Sequence, residues 1–214
     1  KNGNIHGITV YSHFIENYVF DRPIGVFGTI RGPMPAFIFD QVDALFIGAD
    51  YSWKKEWTDK VSSVFGASYL WSRNVGDNAP LINQPPISTT IELKWNQGKV
   101  GFFDSSRWSI RPSYTFRQFQ APRTITPQSL VDGSVELTTN SEIFDFAAPT
   151  DDYFLFDLSW TFRWKNLNGG ITVQNLFNTR YRDYLNEMRY FAHESGRNLL
   201  FTMKYTLKTN AKNE

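Results

Sequence analysis

Tyr153-Phe154-Leu155-Phe156-Asp157-Leu158-Ser159-Trp160-Thr161-Phe162-Arg163-Trp164 sets six large apolar side chains on alternate positions: Phe154, Phe156, Leu158, Trp160, Phe162 and Trp164. Asp157, Ser159, Thr161 and Arg163 fall between them. Successive side chains of an extended strand point to opposite faces, so this repeat is that of a β-strand with one apolar and one polar face. The same alternation returns in Leu199, Phe201, Met203, Tyr205 and Leu207 against Thr202, Lys204, Thr206 and Lys208. It returns again in Trp108, Ile110, Pro112, Tyr114 and Phe116 against Ser109, Arg111, Ser113, Thr115 and Arg117, and in Ile171, Val173 and Phe177 against Thr172 and Gln174.

Working outward, three shorter alternations follow the same rule: Leu45 to Trp53, Phe65 to Trp71 and Ile91 to Trp95. A first strand runs roughly from Ile5 to Val19, which makes eight strands in all. A soluble sandwich also alternates, but its buried face is a mixture of Val, Ile and Leu. Here Phe, Trp and Tyr dominate the apolar face, and aromatics make up 17% of the chain while mean hydropathy stays negative at −0.39. A closed membrane barrel has this profile, because its lipid-facing residues are diluted one for one by lumen-facing ones and its aromatics gather at the interfaces. Membrane-spanning helices are excluded, since no apolar run approaches the roughly 20 residues they need. The expected fold is all-β, made of antiparallel transmembrane barrel strands.

Loop lengths give an independent signal. Outer-membrane barrels have short turns at one end and long loops at the other. The long connections are expected at Asp21 to Pro35, Asn74 to Pro86, Ala121 to Asp152 and Thr179 to Arg197. The short ones are expected at Lys54 to Asp59 and Lys165 to Gly169, with Gln97 to Ser106 intermediate. Turn formers such as Arg31-Gly32-Pro33, Gly76-Asp77-Asn78 and Asp132-Gly133 populate the long loops, and Tyr181 to Phe191 has room for one helical turn.

Composition bounds the function. A net charge of +1, with both signs interspersed, offers no field for nucleic acid. There are no cysteines, hence no disulfide or thiolate chemistry. His6, His13 and His193 stand in no metal-ligand spacing, and neither a cofactor nor a resident metal is expected. No Gly-x-Ser-x-Gly element, phosphate loop or dinucleotide fingerprint occurs, so no enzyme activity and no catalytic residue is expected.

Specific motifs then resemble a family. Val173-Gln174-Asn175-Leu176-Phe177-Asn178-Thr179-Arg180-Tyr181, followed by Arg182-Asp183-Tyr184-Leu185 and by Gly196-Arg197-Asn198 at the last strand, is similar to the C-terminal signature of TonB-dependent outer-membrane receptors. Ala44-Leu45-Phe46-Ile47-Gly48-Ala49-Asp50 resembles a strand of that family in which Gly-x-Glu follows an Ala, with Asp50 in place of Glu. Pro80-Leu81 and Gln84-Pro85-Pro86 resemble its Pro-Leu and Ile-Pro-Pro pattern, with Gln84 replacing the aliphatic residue. Tyr181 to Arg197 looks most like receptors of the Bacteroidetes type.

The resemblance implies that residues 1–214 are the C-terminal part of a 22-stranded plugged barrel, its last eight strands, with the plug and earlier strands absent. It implies a multi-pass bacterial outer-membrane location and import of a scarce nutrient such as a ferric siderophore or other iron chelate. The partners implied are outer-membrane lipid and lipopolysaccharide, the extracellular chelate, and the inner-membrane TonB complex acting through the missing plug. The polar tail Lys208 to Glu214 departs from the aromatic ending common in the family. The rival reading is a self-contained eight-stranded barrel serving as an anchor or adhesin.

Among the motif residues, Gly48, Asp50, Asn175, Leu176, Phe177, Tyr181, Gly196, Arg197 and Asn198 read as structural. Gly48 and Gly66 would admit close packing, Gly196 a positive φ, and Asn175 would mark a strand end or bulge. Loop cations and aromatics suit capture of an anionic chelate through charge-assisted hydrogen bonds: Arg31, Arg73, Arg123, Arg182 and Arg189, with Tyr181, Tyr184, Tyr190 and His193.

Overall fold

The computed structural model describes residues 3–137 and 142–207; the polar tail lies outside them. Its strands are β1 (Asn4–Thr29), β2 (Gly32–Glu56), β3 (Val61–Asn74), β4 (Ser88–Val100), β5 (Phe103–Thr115), β6 (Arg123–Thr124), β7 (Phe144–Asp145), β8 (Tyr153–Trp164), β9 (Leu167–Gln174) and β10 (Asn198–Tyr205). Eight of them form one antiparallel sheet in the order β1-β2-β3-β4-β5-β8-β9-β10. The two-residue strands β6 and β7 make a separate parallel pair.

Register extends each strand's two-faced character across the whole sheet. Trp95, Trp108, Trp160, Ile171 and Phe201 form one continuous cross-strand row over five strands. Lys94, Ser109, Ser159 and Thr172 form a row beside it on the opposite face. The apolar face continues through Phe65 and Trp53 to His6, Ile8 and Val10 on β1. A slip of one residue anywhere would exchange the two faces, so the alternation itself pins the register. Much of the apolar face is bare among the described residues: Val10 is 72% exposed and Phe201 74%. The sheet of the described residues is open, with β1 at one edge and β10 at the other.

Glycine allows aromatic rings to lie across neighbouring strands at two places. Phe162 covers its cross-strand partner Gly169, and Tyr11 covers Gly48; a Cβ at either glycine would sit within 2.3 Å of a ring carbon. No heavy atom lies within 4 Å of a Cβ built on Gly66, so the expected close packing there is not found.

The expected loop at Asp21 to Pro35 is instead a hairpin: β1 and β2 run on for 26 and 25 residues to a two-residue turn at Ile30-Arg31. Prolines suggested a loop, but Pro23 sits beside the β1 irregularity between Pro23 and Gly25, where a missing N–H is tolerated. Likewise Gln97 to Ser106 is mostly strand. β4 and β5 meet at a tight turn, Gly101-Phe102, after register shifts around Gly98, whose φ is +74°. The short connections lie at one end of the sheet, and the hairpin tip and the 75–87, 116–152 and 175–197 segments at the other.

These long segments are structured. Leu81, Ile82 and Ile143 pack on Phe20, Ala44 and Phe46, which project from the polar face of β1 and β2, and so they fold inward over that face. A second small core joins Ile125, Phe144 and Phe146 to Leu130 of α1 (Pro127–Val131) and to Val26 of β1. Helix α1 was not anticipated; Thr126 caps it and Pro127 opens it, but five residues are too few to show a period.

Leu158 lies mid-row on the apolar face, between Ile110 and Val173. Leu158→Arg is expected to cost roughly 2–4 kcal/mol of folded barrel in a bilayer or micelle, and Thr161→Arg, on the polar face, close to nothing. Urea titration followed by heat-modifiable gel migration checks this; equal losses would refute the assignment of faces.

Candidate functional site

The 175–197 segment begins where β9 ends, and asparagines make that ending. Asn175 and Asn178 both have positive φ, 49° and 56°. Asn175 anchors the turn: its N–H donates to Asp157 Oδ1 (3.0 Å), its Oδ1 accepts from Thr179 N–H (2.8 Å), and its Nδ2 donates to the Thr179 carbonyl (2.9 Å). Leu176 N–H still reaches the Phe156 carbonyl of β8 at 2.7 Å. Phe177 turns back onto the apolar face against Phe156, ring centroids 5.2 Å apart. Asn178 Oδ1 then accepts from Arg197 N–H at 2.9 Å, tying the end of β9 to the start of β10.

Gly196 adjoins the same atom: a Cβ there would meet Asn178 Oδ1 at 2.5 Å. Its φ is not positive, so the glycine is needed for close approach and not for handedness. Asn198 donates to Gln174 Oε1 at 3.3 Å, and Asp50 sits on the polar face opposite Thr9.

Above this turn the loops are joined by a buried polar cluster. Arg189 is 1% exposed and Asp145 is fully buried. Arg189 donates to Asp145 Oδ2 (2.9 Å), Tyr190 Oη (2.8 Å) and Asn83 Oδ1 (2.8 Å). Tyr190 donates to Asp145 Oδ1 at 2.8 Å, and the Tyr184 hydroxyl approaches Oδ2 at 3.5 Å. The guanidinium lies 4.6 Å and 4.5 Å from the Tyr184 and Tyr190 ring centroids, a doubly stacked cation. Three long loops are thereby joined: Asn83 from 75–87, Asp145 from 116–152, and Tyr184, Arg189 and Tyr190 from 175–197.

Such an ion pair offsets its desolvation only while both charges are present and well hydrogen-bonded. Burial, and then the Asp145 carboxylate, push both phenols well above the usual tyrosine range, so they stay protonated donors.

The other expected loop residues are scattered. Arg31 is exposed at the hairpin tip, Arg123 pairs with Glu142 at 3.3 Å, and Arg73 bonds Asn78. Tyr181 packs against Tyr153, ring centroids 4.4 Å apart and tilted by 36°, with its phenol pKa pushed upward by burial and then by Glu194 and Asp183. Tyr181, Arg182, Arg189 and His193 do converge on one cavity of about 320 Å³, walled also by Arg180, Asp151, Asp152 and Tyr153. Among the described residues no group of three or more His, Cys, Asp or Glu could hold a metal ion.

Asn83 and Asp145 were missed as site residues. Asp145 leaves a local trace, a lone carboxylate between Phe144 and Phe146. Its partner lies 44 residues away, and no local pattern reports that.

An open antiparallel sheet with one apolar and one polar face, its long connections folded over the polar side, is a segment of transmembrane barrel wall. No protein-family model matches the chain, and no curated protein matches it in sequence. Among solved structures it is similar to the copper transporter OprC, with a TM-score of 0.68 and 16% identity over 94% of this chain and 29% of that one. It is also similar to the ferripyoverdine receptor of the outer membrane of Pseudomonas aeruginosa bound to ferripyoverdine, with a TM-score of 0.60 and 14% identity over 94% of this chain and 25% of that one. The chain spans between a quarter and three tenths of the length of these structures. Identities this low bear on the fold.

Replacing Arg189 by Met leaves Asp145 buried and uncompensated, with an expected loss of ~3–5 kcal/mol in loop anchoring. Limited proteolysis of the folded protein should then cut within 116–152 or 175–197; unchanged resistance would refute the cluster's role. Because the folded-state values of Tyr184 and Tyr190 are raised, their contribution is complete below the ordinary tyrosine value of 10.0 and is lost as pH rises above it. Protease resistance of the loops should therefore fall from about pH 10 upward. Tyr184→Phe should shrink that alkaline loss while changing little at neutral pH.

Proposed function

We propose that this chain is part of a TonB-dependent outer-membrane transporter, contributing strands of the barrel wall and part of its outer mouth. The observation that carries the reading is the continuous apolar face across eight registered strands, open at both edges. Unpaired strand edges cannot be left in the hydrocarbon region, so β1 and β10 need further strands. That requirement favours a larger barrel over the self-contained eight-stranded anchor, whose first and last strands would pair. The likeness to solved outer-membrane transport proteins over a quarter or more of their length points the same way.

In this reading the 214 residues are the last eight strands of a 22-stranded barrel with a plug. The motif from Val173 to Tyr181, which resembles the family's C-terminal signature, supports that placement; here it builds the turn from β9 into the 175–197 segment. Outer-membrane lipid covers the apolar face, and lipopolysaccharide lies against the outer rim. The loops at the long-connection end take a scarce nutrient from outside, and the TonB complex drives its release inward through the plug. The cargo is a scarce nutrient such as an iron chelate, met at the mouth where Tyr181, Arg182 and His193 converge on one cavity. No bond chemistry is involved.

The test is the intact mass of the native protein from outer-membrane fractions, detected with an antibody to the 179–197 loop. The expected result is a heat-modifiable species about three to four times as long as these 214 residues. A native chain of about 214 residues would overturn the reading.

A further inference from the structure

We propose that the cavity between the 116–152 and 175–197 loops binds a zwitterionic group, an ammonium and a carboxylate on one small ligand, such as a short peptide. The proposal rests on the transporter reading in one respect, that these loops face the outside. It deepens that reading by naming what this part of the mouth recognises.

The cavity holds about 320 Å³, at the lower end of small-ligand pockets, which run from roughly 300 to 1,000 Å³. Opposite charges line it from two segments: Asp151 and Asp152 from one, Arg180 and Arg182 from the other. Opposite charges sharing so small a space ordinarily collapse into ion pairs. Here these four do not: among the described residues none of Asp151, Asp152, Arg180 and Arg182 stands in an ion pair within 4.0 Å.

Asp152 accepts from the Tyr114 hydroxyl, which fixes its position against β5. Arg189 also lines the cavity, but it is 1% exposed and committed to Asp145, Tyr190 and Asn83, so it forms a fixed wall and leaves binding to Asp151, Asp152, Arg180 and Arg182.

The charge arrangement selects the ligand. A simple anion would find the arginines but be repelled by two aspartates, and a simple cation would meet the converse. A dipolar ligand meets both signs at once, with its carboxylate on Arg180 and Arg182 and its ammonium on Asp151 and Asp152. The rings of Tyr153 and Tyr181, 4.4 Å apart and tilted by 36°, form an aromatic wall for its backbone or side chain.

Isothermal titration of the full native protein in detergent tests this with trialanine, N-acetyl-trialanine and trialanine amide. Trialanine should bind saturably, and capping either end should weaken binding by about tenfold or more. Arg182→Gln should abolish the penalty for the amide while keeping that for the acetyl cap, and Asp151→Asn the reverse. Unheated gel migration verifies that each variant is still a folded barrel. Capped peptides binding as well as trialanine, or no saturable binding into the millimolar range, would overturn the proposal. If the protein migrates as a large heat-modifiable barrel yet ignores the caps, this inference fails alone. If no such barrel is found in the outer membrane, the transporter reading fails whatever the peptides do.

Discussion

The two-residue repeat of the extended chain is the constraint on which the remaining structure depends. It makes a strand with alternating side chains present one apolar and one polar surface, and pairing in register propagates those surfaces from β1 to β10. Hydrogen bonding adds the second half of the constraint. In an apolar medium each backbone donor and acceptor must be satisfied by a neighbouring strand, so the sheet can be wide but cannot end there. The rows running from Trp95 to Phe201 and from Lys94 to Thr172 are the two outcomes of one repeat.

The loops obey a different physics. Beyond the wall there is no repeat, and cohesion comes from two small apolar cores and one buried polar cluster. The apolar cores seat the 75–87 and 116–152 segments on the sheet. The Arg189–Asp145 pair, clasped by Tyr184, Tyr190 and Asn83, makes the three long loops a single unit. Apolar contacts are tolerant of direction, whereas a buried guanidinium with fixed partners admits one arrangement, which holds the three loops in one shape.

Glycine and asparagine mark the seams between these regimes. Asn175 and Asn178 end β9 in left-handed backbone, and Gly196 gives Asn178 the space to bind the start of β10. Gly48 and Gly169 leave room for rings from the next strand. At Gly48, Gly169 and Gly196 a side chain would collide, and Gly48, Asn175, Asn178 and Gly196 fall in motifs visible from sequence.

The strands of the wall, its two faces and the end bearing the long loops were legible in the amino-acid order because they are local: a period of two needs only adjacent residues. The turn motif around Asn175 was legible for the same reason. Where local rules competed, the reading failed. Prolines at 23, 33 and 35 suggested a loop, but cross-strand pairing along a 26-residue arm outweighed them, and Gly98 marked a bulge within a strand where a linker was expected. The grouping of loop residues was decided by tertiary structure alone. Arg189 and Tyr184 look like exposed ligand-capturing groups in sequence, yet Asp145, 44 residues upstream of Arg189, buries them in the cluster. Arg182, Tyr181 and His193 meet Asp151 and Asp152 only because two loops fold over the same face of the wall. Long-range charge pairing has no period, so it is readable only once the chain has closed on itself.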